Sequence, residues 1–329
     1  MTAHFIDVGQ GHATLLEFPC GAMLVDAGSD EEHLTALSGY LTTFFARRGD
    51  LNRILDVVLI THNHIDHTRS LRDVVEGFNV TRYIDNGFDS GPGTGNPNWL
   101  RREVSAGRRG TVIRAIDLTA VTSVSDHGGL TDAEIDPFSC TDIDPQVHIL
   151  WGRADSTVDW SSSDFDNQNN HSLVTRIDFG EASYLFMGDL QEAAIESMIQ
   201  LYPAAVDGVL DIDVLQVGHH GSHNATIPVL LDAVTPVLAV IPMGAWTFGR
   251  GSAAQFTTFA YGHARQNVVE LLSAAITRRR SQSRSVMVGT GSRQFTATTV
   301  RKAIYATGWD GTVRVVGTAD GRFTVYREY

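Results

Sequence analysis

Lysine is almost absent from this chain: Lys302 is the only one in 329 residues, and arginine carries nearly all of the basic charge. With 25 basic against 38 acidic side chains, the formal net charge is −13. An acidic chain does not draw polyanions from a distance, which disfavours high-affinity nonspecific binding to duplex nucleic acid. Two local arginine groups, Arg101/Arg102/Arg108/Arg109 and Arg278/Arg279/Arg280/Arg284, read as solvated faces. Cysteine is nearly as scarce. Cys20 and Cys140 form no C-x-x-C pair and are too few for a disulfide framework, so reduced thiols in a cytoplasmic protein are expected. No apolar run approaches the ~18 residues of a membrane span. Residues 1–8 lack a basic segment followed by an apolar one and enter a strand directly, so no signal peptide is expected.

Hydrophobic residues make up 43% of the chain and charged ones 19%, proportions that support a large buried core. Short strands are expected at Phe5–Val8, Ala13–Phe18 and Met23–Val25. A helix follows from about residue 31 to 48, capped by Ser29 or Asp30, with Leu34, Leu37, Leu41 and Phe44/Phe45 as its apolar stripe. The run Ile54–Ile60 reads as a buried strand and Ser70–Glu76 as a short helix. Gly91–Pro97 looks like a flexible loop and lacks the G-K-[ST] ending of a nucleotide P-loop. Residues 155–170 read as a polar loop. Beyond it come a hairpin (Leu173–Phe179 and Ser183–Met187), a helix at 191–202, a strand at Asp213–Val217, a helix at Ile227–Val234 and a strand at Val237–Ile241. The periodicity predicts a helix over Gln266–Arg280, its terminal arginines complementing the dipole. Residues 285–329 turn to short β segments with glycine turns. A hydrolase domain over 1–284 and a β-rich C-terminal extension over 285–329 are expected.

The most informative stretch is His62-Asn63-His64-Ile65-Asp66-His67, an H-x-H-x-D-H pattern at the end of the Ile54–Ile60 strand. Three imidazoles and a carboxylate in six residues are hard to explain as core packing. His171, Asp189 and the pair His219-His220 also stand at the ends of predicted strands. Strand ends in a layered α/β fold converge on one edge, where ligands bind. Imidazole and carboxylate suit zinc, manganese or iron. Two such ions can clamp the attacking and leaving oxygens of a hydrolysis and generate a nucleophile at neutral pH.

This set resembles the metallo-β-lactamase-fold hydrolases, most closely the soluble hydrolase domain of the DNA-uptake competence proteins of ComEC type. The matching stretches are Phe5–Gly11, Val25–Gly28, Thr61–His67, Asn169–Val174, Phe186–Leu190, Leu215–Ser222 and Tyr261-Gly262-His263. The resemblance implies a four-layer αββα sandwich with a small C-terminal β-rich appendage. It implies one metal on His62, His64 and His171, a second on Asp66, His67 and His220, and Asp189 as the bridge. Asp66, His219 and His263 are the implied catalytic residues, with His263 or His219 assisting the leaving oxygen. Asp26 would buttress the histidine loop. The chain departs from the family at Gly9-Gln10-Gly11-His12, where an aspartate is usual at the fourth position; the part His12 plays is open. His4, His33, His127, His148 and His223 read as ordinary histidines, and Trp99, Trp160 and Trp246 as packing residues rather than lining of the mouth.

The expected function is hydrolysis by two divalent cations, zinc or alternatively manganese, most consistent with a phosphodiesterase or nuclease using a metal-bridging hydroxide. Its substrate would be a small phosphodiester or the end of a nucleic-acid strand. The rivals are an ester or lactam-like amide hydrolase and a noncatalytic component of a multi-protein defence or toxin system, where a protein partner would be required.

Overall fold

The computed structural model describes residues 1–124, 128–156, 158–251 and 255–328. His127 lies outside them. Two sheets face each other. The eight-stranded sheet runs, edge to edge, Phe323–Glu328, Thr312–Gly317, Thr2–Phe5, Thr14–Glu17, Ala22–Val25, Val57–Leu59, Arg82–Asp85 and Val112–Ala115. The six-stranded sheet runs Ile304–Ala306, Leu238–Ile241, Val214–Gln216, Ala182–Phe186, Val174–Phe179 and Gln146–Trp151.

Strand alternation builds the layers. Val57 and Leu59 point into the core between the sheets, whereas Val58 and Ile60 point to the opposite face. That outer face is covered by the helices Ala36–Arg47 and Leu71–Gly77, which bury Leu37, Leu41, Phe44, Phe45, Leu71, Val74 and Val75 against it. Each such buried Leu or Phe contributes roughly 1.5–3 kcal/mol. The helices Glu192–Leu201, Pro228–Val234 and Gln266–Ala275 bury one apolar stripe each in the other core. The arrangement is the expected αββα sandwich with a β-rich C-terminal region. The strands of that region complete both sheets: Ile304–Ala306 pairs with Leu238–Ile241, and Thr312–Gly317 pairs with Thr2–Phe5.

Several local expectations need correction. The first helix begins at Ala36, because Asp30 spends its carboxylate on the amides of Gln10, Glu32 and His33, and Leu34 is left exposed. The stretch read as a loop at Gly91–Pro97 runs into a helix, Gly95–Ser105, because Pro97 sits in the first turn where its missing N–H costs nothing. The helix at Gln266 ends at Ala275, so Arg278–Arg280 do not cap it. Arg279 opens a long hairpin, Arg279–Gly291 with Gln294–Lys302. Arg280 is no solvated residue: it is buried and bonded to Asp310 at 2.5 Å.

The cysteines are not reduced. Cys20 and Cys140 form a disulfide with a Cα–Cα distance of 5.3 Å. The turn holding Cys20 meets the segment before the strand Gln146–Trp151, where Phe18 packs on Phe138 with ring centroids 4.5 Å apart. A crosslink across 120 residues stabilises by roughly 4–5 kcal/mol through chain entropy. Disulfides persist in oxidising compartments, so the cytoplasmic expectation loses the thiols on which it rested. Among the described residues no helix is long and apolar enough to cross a membrane.

Candidate metal centre

The site forms where the carboxyl ends of strands from both sheets meet. Val57–Leu59 delivers His62 to His67, Ala22–Val25 delivers Asp26, Ala182–Phe186 delivers Asp189, and Val214–Gln216 delivers His219 and His220. Non-glycine residues in the left-handed region cluster here: Asp26 at φ 59°, His219 at φ 49° and His220 at φ 53°. Such conformations cost of order 1–3 kcal/mol and persist where the surroundings enforce them. Gly28 allows the close approach of the Asp26 turn to the histidine loop, since a Cβ there would lie 1.6 Å from the Asp66 carbonyl oxygen.

Asp66, His67, Asp189 and His220 each offer a donor atom, all within 4.8 Å of one another. Asp189 is the hub. Its Oδ1 lies 3.3 Å from His67 Nε2, and its Oδ2 lies 3.7 Å from His220 Nε2, 3.8 Å from His62 Nε2 and 3.9 Å from His219 Nε2. His220 Nε2 is 3.2 Å from Asp66 Oδ2. His64 stands edge-on to His62, with ring centroids 4.7 Å apart.

Outer contacts set the tautomers. His67 Nδ1 donates to Asp26 Oδ2 at 2.6 Å, and His220 Nδ1 donates to the Pro242 carbonyl at 2.7 Å. Both therefore aim an Nε2 lone pair at the carboxylates when neutral. Asp26 also accepts from His12 Nδ1, Thr61 N and Thr61 Oγ1. His12 Nδ1 meets Asp26 and its Nε2 meets Thr14 Oγ1 at 2.9 Å, so it lies behind the centre, where His12, Asp26 and His67 form a second buried group of donors.

The donor set fits metal ions. His62 Nε2 and His67 Nε2 are buried with no hydrogen-bond partner, a costly condition that a cation would relieve. Electrostatics point the same way. Burial disfavours charge on His67, but Asp189 and Asp26 outweigh it and hold this imidazole well above its ordinary pKa. Burial likewise opposes ionisation of Asp189, yet His67, His220 and His219 hold its carboxyl well below the usual range. Burial, with His67 and His64 adding to it, pushes His62 well down. The cavity is thus a place where anionic oxygens and imidazoles are forced together and a cation is the natural mediator.

His171 departs from expectation. Its Nε2 donates to the Phe165 carbonyl at 2.7 Å and its Nδ1 accepts from Ala154 N at 3.0 Å. The ring lies among Phe88, Trp160 and Phe165, and both nitrogens are spent. Among the described residues no hydrogen bond or ring contact joins it to His62 or His64, and its nitrogens meet the backbone of Phe165 and Ala154.

His263 is buried beside the centre, its ring stacked on Tyr261 and on His220 at centroid distances of 5.3 and 5.9 Å. Sequence reasoning missed its partner, Gln10. Gln10 Oε1 accepts from Thr258 Oγ1 and Gly244 N, which leaves Gln10 Nε2 to donate to His263 Nδ1 at 3.2 Å. That bond places the His263 proton on Nε2. Burial, aided by His220 and His219, holds this imidazole well below its ordinary pKa, so it is a neutral donor. The motif containing Gln10 was visible in the sequence, but its reach to a residue 253 positions away was not. His219 is part-exposed, and its Nδ1 lies 3.2 Å from both Gln191 Nε2 and Asn224 Oδ1.

Comparison with known proteins agrees with this architecture. Residues 6–245 match the family model described as the metallo-beta-lactamase superfamily. ComE operon protein 3 of Bacillus subtilis is 25% identical over 285 residues, covering 81% of this chain and 30% of that protein. Recombination protein 2 of Haemophilus influenzae is 44% identical over 78 residues, covering 24% of this chain and 9% of that protein. The chain thus spans less than a third of the length of either relative. Among solved structures, a metallo hydrolase from the archaeon Ignicoccus hospitalis aligns over 92% of this chain and 99% of its own, at 16% identity and a TM-score of 0.43. With its matched span covering most of the length and the histidine motif inside it, the chain belongs to the metallo-beta-lactamase superfamily.

Proposed function

We propose that the chain is a metal-dependent phosphodiester hydrolase that holds two divalent cations at the Asp189 hub. The observation that supports it best is one carboxylate facing four imidazole nitrogens, of which two are buried without another partner. Asp66, His67, His220 and Asp189 would hold one cation, and His62, His64 and the same Asp189 the other. The donor set lacks sulfur, which suits zinc and also manganese. Cations bound there would supply Lewis acidity to water and to the phosphoryl oxygens.

The chain's own groups do the rest. Asp26 holds His67 in one tautomer. His263 Nε2–H is the proton donor facing the departing oxygen, kept in place by Gln10. His219 is the part-exposed imidazole on the substrate side of Asp189. The acidic surface favours a small phosphodiester or a strand end over a long duplex. A relative named for recombination supports a nucleic-acid substrate.

The test is to measure bound metal in the purified protein and to assay bis(p-nitrophenyl) phosphate beside single-stranded DNA, RNA and a β-lactam. Metal-dependent cleavage of the phosphodiesters is expected. Robust lactam cleavage without phosphodiester cleavage would overturn the substrate class, and full activity in metal-free protein would overturn the mechanism.

A further inference from the structure

An open cavity of about 440 Å³ is lined by His223, Arg265, Gln266, Glu270, Gly289 and Thr290 among others. It is joined to the centre through the backbone. Arg265 N donates to the Gly221 carbonyl at 2.9 Å, one residue beyond His220, and Arg265 follows His263 by two positions. Gly289 N closes the other wall by donating to the Ala264 carbonyl at 2.8 Å.

Arg265 has no carboxylate opposite it. Among the described residues its guanidinium enters no ion pair within 4.0 Å, and its Nε is buried without a hydrogen-bond partner. Glu270 shares the cavity without pairing with Arg265 within 4.0 Å; its Oε1 accepts from Gln266 Nε2 at 2.7 Å. In a chain with 38 acidic side chains, a half-buried guanidinium left unpaired is a standing demand for an anion. Burial lowers its pKa, which expresses the same cost. A planar guanidinium suits a phosphate oxygen pair, and the Asn267 amide and the Thr290 hydroxyl are further donors lining the cavity.

We propose that this cavity binds a second, non-scissile phosphate of the substrate, Arg265 being its anchor, so that the chain prefers phosphodiesters carrying at least two phosphates. This rests on the phosphodiester reading of the metal centre. It also reconciles an acidic surface with a phosphorylated substrate: recognition is by one local cation at short range rather than by a broad positive field.

The experiment compares the thymidine dinucleotide with the same dinucleotide carrying an extra phosphate at its 5′ or 3′ end. The measured quantity is the ratio of kcat/KM values, in the wild type and in Arg265→Gln. A charged hydrogen bond of this kind corresponds to roughly tenfold or more. The wild type is expected to favour one phosphorylated form by about that factor, through KM, and Arg265→Gln to lose the preference, with Arg265→Lys recovering part of it. No preference in the wild type, or a preference that survives Arg265→Gln, overturns the proposal. Glycerophosphoglycerol beside its phosphorylated form identifies the source of the phosphate: a gain confined to the dinucleotide assigns a nucleic-acid strand, and a gain confined to the glycerol compound assigns a lipid head group. If the wild type cleaves no phosphodiester at all, the reading of the metal centre fails instead. Calorimetry with inorganic phosphate in the presence of a chelator then decides the cavity alone. Binding that Arg265→Gln removes supports the site, and binding that is absent or unchanged overturns it.

Discussion

The two halves of the candidate centre are built to different standards. On one side Asp66, His67 and His220 converge with Asp189, and two of the imidazoles are locked from behind by Asp26 and the Pro242 carbonyl. On the other side His62 Nε2 lies 3.8 Å from Asp189 with His64 edge-on to it, while the ring nitrogens of His171 meet the Phe165 carbonyl and the Ala154 amide. Metal affinity depends on ligand count and on the outer contacts that orient ligands. The difference teaches that a motif with every ligand type in order can still present one group of donors held from behind and another that is not.

The comparison can be broken most severely at the shared residue. Asp189→Asn removes the charge common to both halves, and turnover of bis(p-nitrophenyl) phosphate should fall by about a thousandfold or more, equivalent to roughly 4 kcal/mol. A loss of less than tenfold would mean that the halves do not depend on a common carboxylate.

The asymmetry itself is sharpened by His220→Ala against His62→Ala. After dialysis against dilute chelator, His62→Ala should retain the tighter cation and His220→Ala should lose it, as read by elemental analysis. Equal retention in both variants would make the two positions equivalent and contradict the ranking.

The smallest effect on the metal is expected at His171. His171→Ala should leave bound metal unchanged while lowering stability by about 1–3 kcal/mol, since the Phe165 carbonyl and the Ala154 amide lose their buried partner. Thermal melting and metal content check this together. Loss of metal comparable to that of His62→Ala would return His171 to the ligand set.

What was legible in the sequence follows the range of each interaction. His62 to His67 could be read because the whole motif is local and ends a strand of obvious β-branched character. The first helix was legible because Leu37, Leu41 and Phe44 repeat at helical spacing; the four layers came from the resemblance, and the alternation of Val57 to Ile60 between two cores bears them out. The misreadings came from contacts that local pattern does not encode. The ring of His171, expected at a strand end and by resemblance, has a partner the local pattern did not announce, the Phe165 carbonyl six positions away. Arg280 looked like a helix terminus until Asp310, 30 residues further on, claimed it. Cys20 and Cys140 lie 120 residues apart, and only the packing of Phe18 on Phe138 brings them together. Gln10 and Arg265 belong to the same class, since their importance lies in what they face or fail to face.

One feature of the fold governs the order in which the molecule can be made. The strand Thr2–Phe5 lies between Thr14–Glu17 and Thr312–Gly317, and the amino group of Met1 donates to the Gly317 carbonyl at 2.9 Å. The strand Thr2–Phe5 therefore waits for a partner made much later in this chain. Until then one of its edges is unpaired, and the six-stranded sheet lacks Ile304–Ala306 as well. Closing a loop of this length is slow and leaves a sheet edge open to wrong partners during synthesis. Termination before residue 304 would leave both sheets short of strands.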